Sequence, residues 1–221
     1  MAARRQHPVR SFLGWKDTLP AFFCAVSLSF AANAGEIYPE LPAELDPQRF
    51  YLIFLQGPVA GEPVARGFAR RGFEVVTERR RPSSDPLEQA RKTMAQVTAL
   101  LQGGVPGSRI AVAGYDLGGT AAMIASALIR DPSISYVVLA GCGLDERYER
   151  FAAQLADQMA GRMLHLWEKT DPRAESCQYA FSQAPQLDSD EKLLSNDGGH
   201  ELFWEPAPFW MDIVQQFLER R

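Results

Sequence analysis

Two kinds of apolar spacing alternate along most of this chain, and that alternation limits the fold more than any other feature. Continuous apolar runs of strand length, such as "FYLIFLQG" at 50–57, are typical of strands that are covered on both faces. Segments with helical spacing follow them, as in the helix predicted to begin at Asp85-Pro86 and to end at Gly103. Six such repeats predict an α/β fold with a six-stranded, mostly parallel sheet and helices on both of its faces.

The other predicted elements follow the same pattern. The predicted strands are 50–57, 73–79, 109–115, 134–142, 162–169 and 191–196. The remaining predicted helices are 62–71, 118–130, 145–160, 173–183 and a closing helix with Trp210, Ile213, Val214, Phe217 and Leu218 on its apolar face. The spacing of Trp204, Phe209 and Trp210 favours the core for these aromatic side chains over the wall of a pocket.

The first 34 residues are predicted to be a secretory signal peptide. Basic residues precede the apolar run "LPAFFCAVSLSFA", and "ANA" at 32–34 supplies small residues for cleavage. The run is too short to span a bilayer core of about 30 Å, although an uncleaved anchor is the alternative. We therefore expect an exported protein, periplasmic or secreted, with one domain at 35–221 and no stable membrane span.

Two cysteines remain after residue 34, namely Cys142 and Cys177. An even pair in an exported chain predicts a disulfide bond between them, with two buried free thiols as the alternative. Such a bond closes a loop of about 35 residues and is worth about 3–4 kcal/mol in the chain-entropy model. The net charge of −4 and the lack of a basic stripe give the chain no electrostatic reason to bind nucleic acid.

A turn with the spacing of a nucleophile elbow follows the third predicted strand. In "AVAGYDLGGTAAM" (111–123), Gly114 and Gly118 flank Asp116 as the two glycines flank the serine of a G-x-S-x-G elbow. Glycines allow the strained turn and the close approach of the following helix to the strand. The alternative is that Asp116 only caps this helix, since Asp is a favoured N-cap residue.

Two further polar residues follow later strands, Asp171 in "EKTDP" and His200 in "GGHELF". The carboxyl ends of parallel strands bring reactive groups to one edge of a sheet, so we expect both residues to meet Asp116 there. The alternatives are that Asp171 only initiates the turn at Pro172, and that His200 is a solvated loop residue.

Two other residues are candidates for the same roles. Asp197 is a reserve partner for His200, although "NDGG" is typical of a turn. His165 stands in the middle of a predicted strand, which favours a packed or surface histidine over a functional one.

From about residue 50 to 218 the sequence resembles the α/β-hydrolase superfamily in a small form without a cap. The resemblance rests on "GYDLGG", "EKTDP" and "GGHELF", which stand in the family's order of nucleophile, acid and histidine. It implies that Asp116 attacks the substrate, that Asp171 orients His200, and that His200 transfers protons. Most capless members have Ser or Cys at the elbow. Aspartate occurs there in the haloalkane dehalogenase and epoxide hydrolase branches, which usually carry a helical cap that this chain has no room for.

An aspartate at the elbow changes the expected chemistry. Attack of a carboxylate on an sp³ carbon with a leaving group gives an ester on Asp116, which water activated by His200 can hydrolyse. Attack on an ordinary ester would give an anhydride, a poorer route, so esters favour attack by water with His200 as general base. We therefore predict a hydrolase for a small ester-like or activated-carbon substrate. A catalytically degenerate binding or envelope-associated protein is the alternative.

The oxyanion donors are less well defined by the sequence. The backbone N–H of Leu117 is the first expected donor, and the second is expected from "QGPVAGE" at 56–62. Pro58 has no N–H, so Gly57 or Val59 must serve there. The sequence has no cluster with metal-ligand spacing and no phosphate-binding or dinucleotide motif, so we expect no metal and no cofactor.

Overall fold

A parallel sheet organises the part of the chain described by the computed structural model, which comprises residues 35–56, 61–79 and 85–220. The sheet has seven strands in the order β1-β3-β2-β4-β5-β6-β7, and all of its pairings are parallel. The strands are β1 (Ile37–Tyr38), β2 (Phe50–Gln56), β3 (Phe73–Arg79), β4 (Ile110–Tyr115), β5 (Ser135–Leu139), β6 (Ala160–Glu168) and β7 (Gln186–Leu194). The predicted signal peptide lies outside the described residues.

Helices cover both faces of the sheet. They are α1 (Gly61–Arg70), α2 (Pro86–Gln102), α3 (Leu117–Ile129), α4 (Glu146–Gln154), α5 (Gln178–Phe181) and α6 (Pro208–Glu219). The side chain of Asp85 accepts a hydrogen bond from the backbone N–H of Leu87 and so caps α2, as its sequence predicts. No helix among the described residues is long and apolar enough to cross a membrane.

Two apolar cores follow from the alternation of side chains along the buried strands. In β2, Ile53 and Leu55 point to the core shared with α2, α3 and α4, whereas Leu52 and Phe54 point to the core shared with α1 and α6. Both faces of the central strands are therefore apolar, which explains why their sequence is a continuous apolar run.

The prediction of an α/β fold with a mostly parallel sheet is confirmed, and several of its details are wrong. The two-residue strand β1 was missed because two residues carry no periodicity, so the sheet has seven strands and not six. The strand predicted at 191–196 begins earlier, at Gln186, because its exposed edge position lets polar residues pair in a strand. The helix predicted at 173–183 is only the four residues of α5.

The closing aromatic residues differ in their environment. Trp210 is fully buried, as predicted, but Phe209 is 40% exposed, so its assignment to the core is wrong. These neighbours on α6 point in different directions, and only one of them faces the sheet. Trp204 is half-buried.

The predicted disulfide bond between Cys142 and Cys177 is present, with the two Cα atoms 5.5 Å apart. Cys142 follows β5, and Cys177 is the residue just before α5, so the bond ties together the segments that follow two neighbouring strands. Both sulfur atoms are buried in the core.

Candidate active site

The turn between β4 and α3 has the geometry that an elbow requires. Asp116 has φ 56° and ψ −135°, a conformation that is costly for a residue with a side chain and is typical of functional turns. Its backbone N–H donates to the carbonyl of Leu139 on β5 at 3.0 Å, which fixes the turn to the sheet.

The two elbow glycines are needed for close approach. A Cβ atom on Gly114 would lie 2.0 Å from the carbonyl oxygen of Gly118, and a Cβ atom on Gly118 would lie 2.4 Å from the carbonyl oxygen of Leu55. A side chain at either position would therefore push α3 away from the strands. The sequence spacing at this turn has a steric origin.

Asp116 stands at the N-cap position of α3 without acting as its cap. Its carboxylate accepts no capping hydrogen bond from α3, all of whose residues the structure describes. A strained backbone angle and a side chain that leaves its own helix uncapped are both costly. The capping alternative therefore does not account for this residue.

His200 lies between two carboxylates at the carboxyl edge of the sheet. Its Nδ1 atom donates to Oδ2 of Asp171 at 2.6 Å, and its Nε2 atom is 3.4 Å from Oδ1 of Asp116. Nε2 of His200 and Oδ1 of Asp116 are close but do not form a hydrogen bond. Nε2 has no hydrogen-bond partner among the described residues. Because the carboxylate of Asp171 accepts, Nδ1 carries the proton and Nε2 presents a lone pair beside Asp116.

Asp171 makes both of the contacts that the sequence left open, one within the turn and one with His200. Its Oδ1 atom accepts from the backbone N–H of Arg173 at 2.9 Å, which forms the turn expected of an aspartate before proline. Its other oxygen bonds His200, and the carboxyl group is fully buried. The reserve partner Asp197 is instead exposed, with φ 53°, in the turn that precedes His200.

Tyr115 and Trp204 hold His200 from the other side. The Tyr115 hydroxyl donates to the carbonyl of His200 at 3.2 Å and accepts from Nε1 of Trp204 at 2.8 Å. The rings of Tyr115 and His200 have centroids 5.0 Å apart. Burial raises the pKa of Tyr115, so the hydroxyl keeps its proton as a donor.

Glu168 is a site residue that the sequence reasoning missed. This buried carboxylate at the end of β6 accepts from the backbone N–H groups of Thr170 at 2.7 Å, Gly199 at 3.1 Å and Asn196 at 3.3 Å, and from the hydroxyl of Thr170. It therefore links the loop that carries the acid to the loop that carries His200. Burial alone would raise its pKa, but these hydrogen bonds outweigh burial and lower the pKa. An acidic residue at the end of a buried strand was the available signal.

The expected oxyanion donors are only partly within the described residues. Leu117 is the first residue of α3, and the first N–H groups of a helix have no partner within that helix. Gly57 and Val59 lie outside the described residues. Gln56, at the end of β2, is buried and packs against Gly61 at the start of α1.

A second buried histidine lies away from this edge, in the middle of β6. His165 is fully buried, as the prediction of a packed histidine allows, and its Nδ1 atom bonds Oε1 of Glu191 at 2.8 Å. The backbones of these two residues are direct neighbours in the pairing of β6 with β7.

The chain is similar to solved structures of hydrolytic enzymes, although its sequence matches no protein-family model and no curated protein. It is 15% identical to an acetyl xylan esterase from Paenibacillus sp. R4 over 81% of this chain and 76% of that one, with a TM-score of 0.58. It is 14% identical to SOBER1 of Arabidopsis thaliana over 78% and 98% of the two chains, with a TM-score of 0.59. The chain is 18% identical to a dipeptidyl peptidase 4 from Porphyromonas gingivalis, with a TM-score of 0.59. The match covers 79% of this chain but only 32% of that protein. At these identities the likeness concerns the fold.

Proposed function

We propose that this chain, which has the α/β-hydrolase fold, is an exported hydrolase in which Asp116 is the nucleophile, His200 the base and Asp171 the acid that orients it. One observation carries the proposal: the His200 ring lies 2.6 Å from one carboxylate and 3.4 Å from the other. The strained backbone of Asp116 and the lone pair on Nε2 support the same roles.

The first step is a displacement at carbon. An oxygen of the Asp116 carboxylate attacks an sp³ carbon, a C–O bond forms, and the leaving group departs with the electron pair of the bond that breaks. The product is an alkyl ester of Asp116.

The second step is hydrolysis of that ester. Nε2 of His200 takes a proton from water, and the hydroxide attacks the side-chain carbonyl carbon of Asp116. The N–H of Leu117 is placed to stabilise the resulting oxyanion, and Asp171 stabilises the imidazolium. Collapse of the intermediate releases the alkoxide, which takes the proton back from His200. The carboxylic acid of Asp116 then gives up its proton and becomes a carboxylate again, so that R–X and water give R–OH and HX.

The substrate class follows from the nucleophile and the size of the structure around it. A carboxylate suits a small molecule with an activated carbon, such as a primary alkyl bromide or an epoxide. An ester substrate would be hydrolysed without an intermediate on Asp116. His200 would act as the base for a water molecule that attacks the ester itself. The short helix α4 follows β5. The hydrolase branches with an elbow aspartate usually carry a helical cap among the later strands of the sheet. We therefore propose that the substrate is held here without a cap.

Export is part of the proposal and is supported by two features. The N-terminal 34 residues have the pattern of a signal peptide, and the buried disulfide bond requires an oxidising compartment to form.

Covalent trapping tests the proposed function. The His200→Ala variant is incubated with a panel of bromides, epoxides and activated esters, and the peptide that contains Asp116 is then analysed by mass spectrometry. We expect the variant to accumulate an alkyl adduct on Asp116, since the ester forms but its hydrolysis lacks a base. Asp197→Asn is the matched control and should turn over normally, because its carboxylate lies exposed in the neighbouring turn.

The alternative function is binding without turnover, which is favoured by one feature, the absence of the serine or cysteine found at most capless elbows. Its signature would be a chain that forms no adduct and hydrolyses no member of the panel. In that case the Asp116→Ser variant shows whether the rest of the site is intact, because a working histidine and acid would give it esterase activity.

A further inference from the structure

A cluster of metal-ligand groups lies in the core and plays no part in the proposed reaction. The sulfur atoms of Cys142 and Cys177 and one ring nitrogen of His165 lie within 4.8 Å of one another, and all three residues are fully buried. The three belong to the segments after β5, before α5 and within β6. Their distance along the chain explains why no ligand spacing is visible in the sequence.

The ring of His165 is in the state of a metal ligand. Its Nδ1–H donates to Oε1 of Glu191, so Nε2 carries a lone pair. Nε2 is buried and has no hydrogen-bond partner among the described residues. An unpaired polar atom in the core is costly, and metal-binding histidines usually donate their other N–H to a carboxylate in this way.

Glu191 is itself held firmly. Besides His165, it accepts from the backbone N–H of Cys177 at 2.7 Å, from the hydroxyl of Ser176 at 2.8 Å and from the side-chain amide of Gln178 at 2.8 Å. One carboxylate therefore fixes both the imidazole and the segment that carries one of the cysteines.

Two further side chains, Met123 and Tyr179, lie close to the sulfur atoms of the cluster. The thioether sulfur of Met123 lies 3.4 Å from the sulfur of Cys142 and 3.9 Å from that of Cys177. The hydroxyl of the half-buried Tyr179 lies 3.8 Å from the sulfur of Cys142.

We propose that reduction of the Cys142–Cys177 disulfide converts this cluster into a Zn²⁺ site, with the two thiolates and Nε2 of His165 as ligands. A tetrahedral site with Zn–S bonds of about 2.3 Å and a Zn–N bond of about 2.0–2.1 Å keeps its ligand atoms less than about 4 Å apart. The present separations are within reach of side-chain rotation once the S–S bond is broken. Met123 or a water molecule takes the fourth position.

The balance of the conversion is simple. A dithiol reductant supplies two electrons and two protons to the disulfide and is itself oxidised to a disulfide. Zn²⁺ then displaces the two thiol protons, and two thiolates neutralise its charge.

The test compares the oxidised and reduced forms of the full protein. Zn²⁺ is titrated against a chromogenic chelator, and the bound ion is counted by native mass spectrometry. We expect one Zn²⁺ per reduced chain and none per oxidised chain. Co²⁺ in its place should give thiolate-to-cobalt charge-transfer absorption. Bound Zn²⁺ should also protect both thiols from alkylation.

Variants assign the ligands. Cys142→Ser should abolish binding, and Glu191→Gln, which keeps all three ligands, should weaken it by about 10–100-fold. His200→Asn is the control for zinc held at the rim of the sheet and should bind as the parent does. The proposal is overturned if the reduced chain binds no Zn²⁺, if binding survives Cys142→Ser, or if His200→Asn removes it. Protection from alkylation keeps the test decisive should Cys142→Ser not fold.

Discussion

Two buried histidines in this molecule make the same hydrogen bond in different surroundings. His200 and His165 each join Nδ1 to a carboxylate, at 2.6 Å and 2.8 Å, and each has an Nε2 atom with no hydrogen-bond partner in the described part of the chain. Nε2 of His200 lies beside Asp116 at the rim of the sheet, whereas the His165 ring lies among sulfur atoms in the core. In both places a carboxylate fixes the tautomer of the imidazole. The groups near the rest of the ring then determine what the histidine can do.

Burial also determines the charge of His165. Burial lowers the pKa of His165 and outweighs the opposite effect of Glu191, so this imidazole is neutral. We therefore expect substitutions around His200 to act on turnover and substitutions around His165 to act on stability and metal binding.

The largest effect is expected at the rim. His200→Ala should lower turnover of a substrate found in the panel by about 10⁴-fold, at the upper end of general-base contributions, because His200 is the proposed base for the attacking water. The free energy of unfolding should fall by no more than about 1–3 kcal/mol, because the buried carboxylate of Asp171 loses its hydrogen-bond partner. Steady-state kinetics and urea unfolding measure the two quantities. An inactive variant that was also strongly destabilised would break the division.

The next largest effect is expected in the core. Replacing both Cys142 and Cys177 by Ala should lower the free energy of unfolding by about 3–4 kcal/mol, since the bond closes a loop of 35 residues. Turnover at a temperature where the variant is folded should stay within about twofold of the parent. Urea unfolding followed by circular dichroism measures the loss. A large fall in turnover of the folded variant would show that the two regions are coupled.

Glu168→Gln should have an intermediate effect on both quantities. The amide presents one acceptor where the carboxylate has two, so some of the backbone N–H groups of Thr170, Asn196 and Gly199 lose a charged partner at a cost of about 1.5–3 kcal/mol. Because Glu168 joins the loops of Asp171 and His200, turnover should also fall. Equilibrium unfolding and kcat report the two effects. A loss of stability with unchanged kcat would limit Glu168 to a structural role.

The smallest effect is a pH dependence at Glu191. Burial opposes its charge, but hydrogen bonds from His165, Cys177, Gln178 and Ser176 outweigh burial and lower its pKa from 4.5 to about 2. Its carboxylate therefore stabilises the fold above pH 4.5, and this contribution is lost as the pH falls toward 2. The stability difference between the parent and Glu191→Gln should shrink over that range.

A control variant and an opposite outcome define that pH test. Asp188→Asn changes an exposed carboxylate on the same strand and should show no such trend in urea unfolding at several pH values. A difference between the parent and Glu191→Gln that grows as the pH falls would contradict the assignment.

The fold could be predicted from the sequence because the buried parallel strands are continuous apolar runs. The sequence was insufficient where tertiary contacts decide. The strand β1 is too short to have a period, and β7 is polar because it lies at an edge of the sheet. The four-residue helix α5 is held by Glu191 and the disulfide bond, neither of which is a local signal.

The candidate site was partly visible for a similar reason. Asp116, Asp171 and His200 each follow a strand, so topology alone brings them to one edge. Glu168 was not visible, because its four hydrogen bonds depend on how two loops meet. The His165 cluster was not visible either, since its ligands come from three separate segments.

Isotope labelling tests the central claim, that Asp116 is the nucleophile, most directly. The enzyme is allowed to complete less than one turnover in H₂¹⁸O, and the peptide that contains Asp116 is weighed by mass spectrometry. The account predicts that ¹⁸O enters a side-chain oxygen of Asp116 and that the first product carries unlabelled oxygen from that carboxylate. Product that carries ¹⁸O from the first turnover, with an unlabelled Asp116, would contradict it.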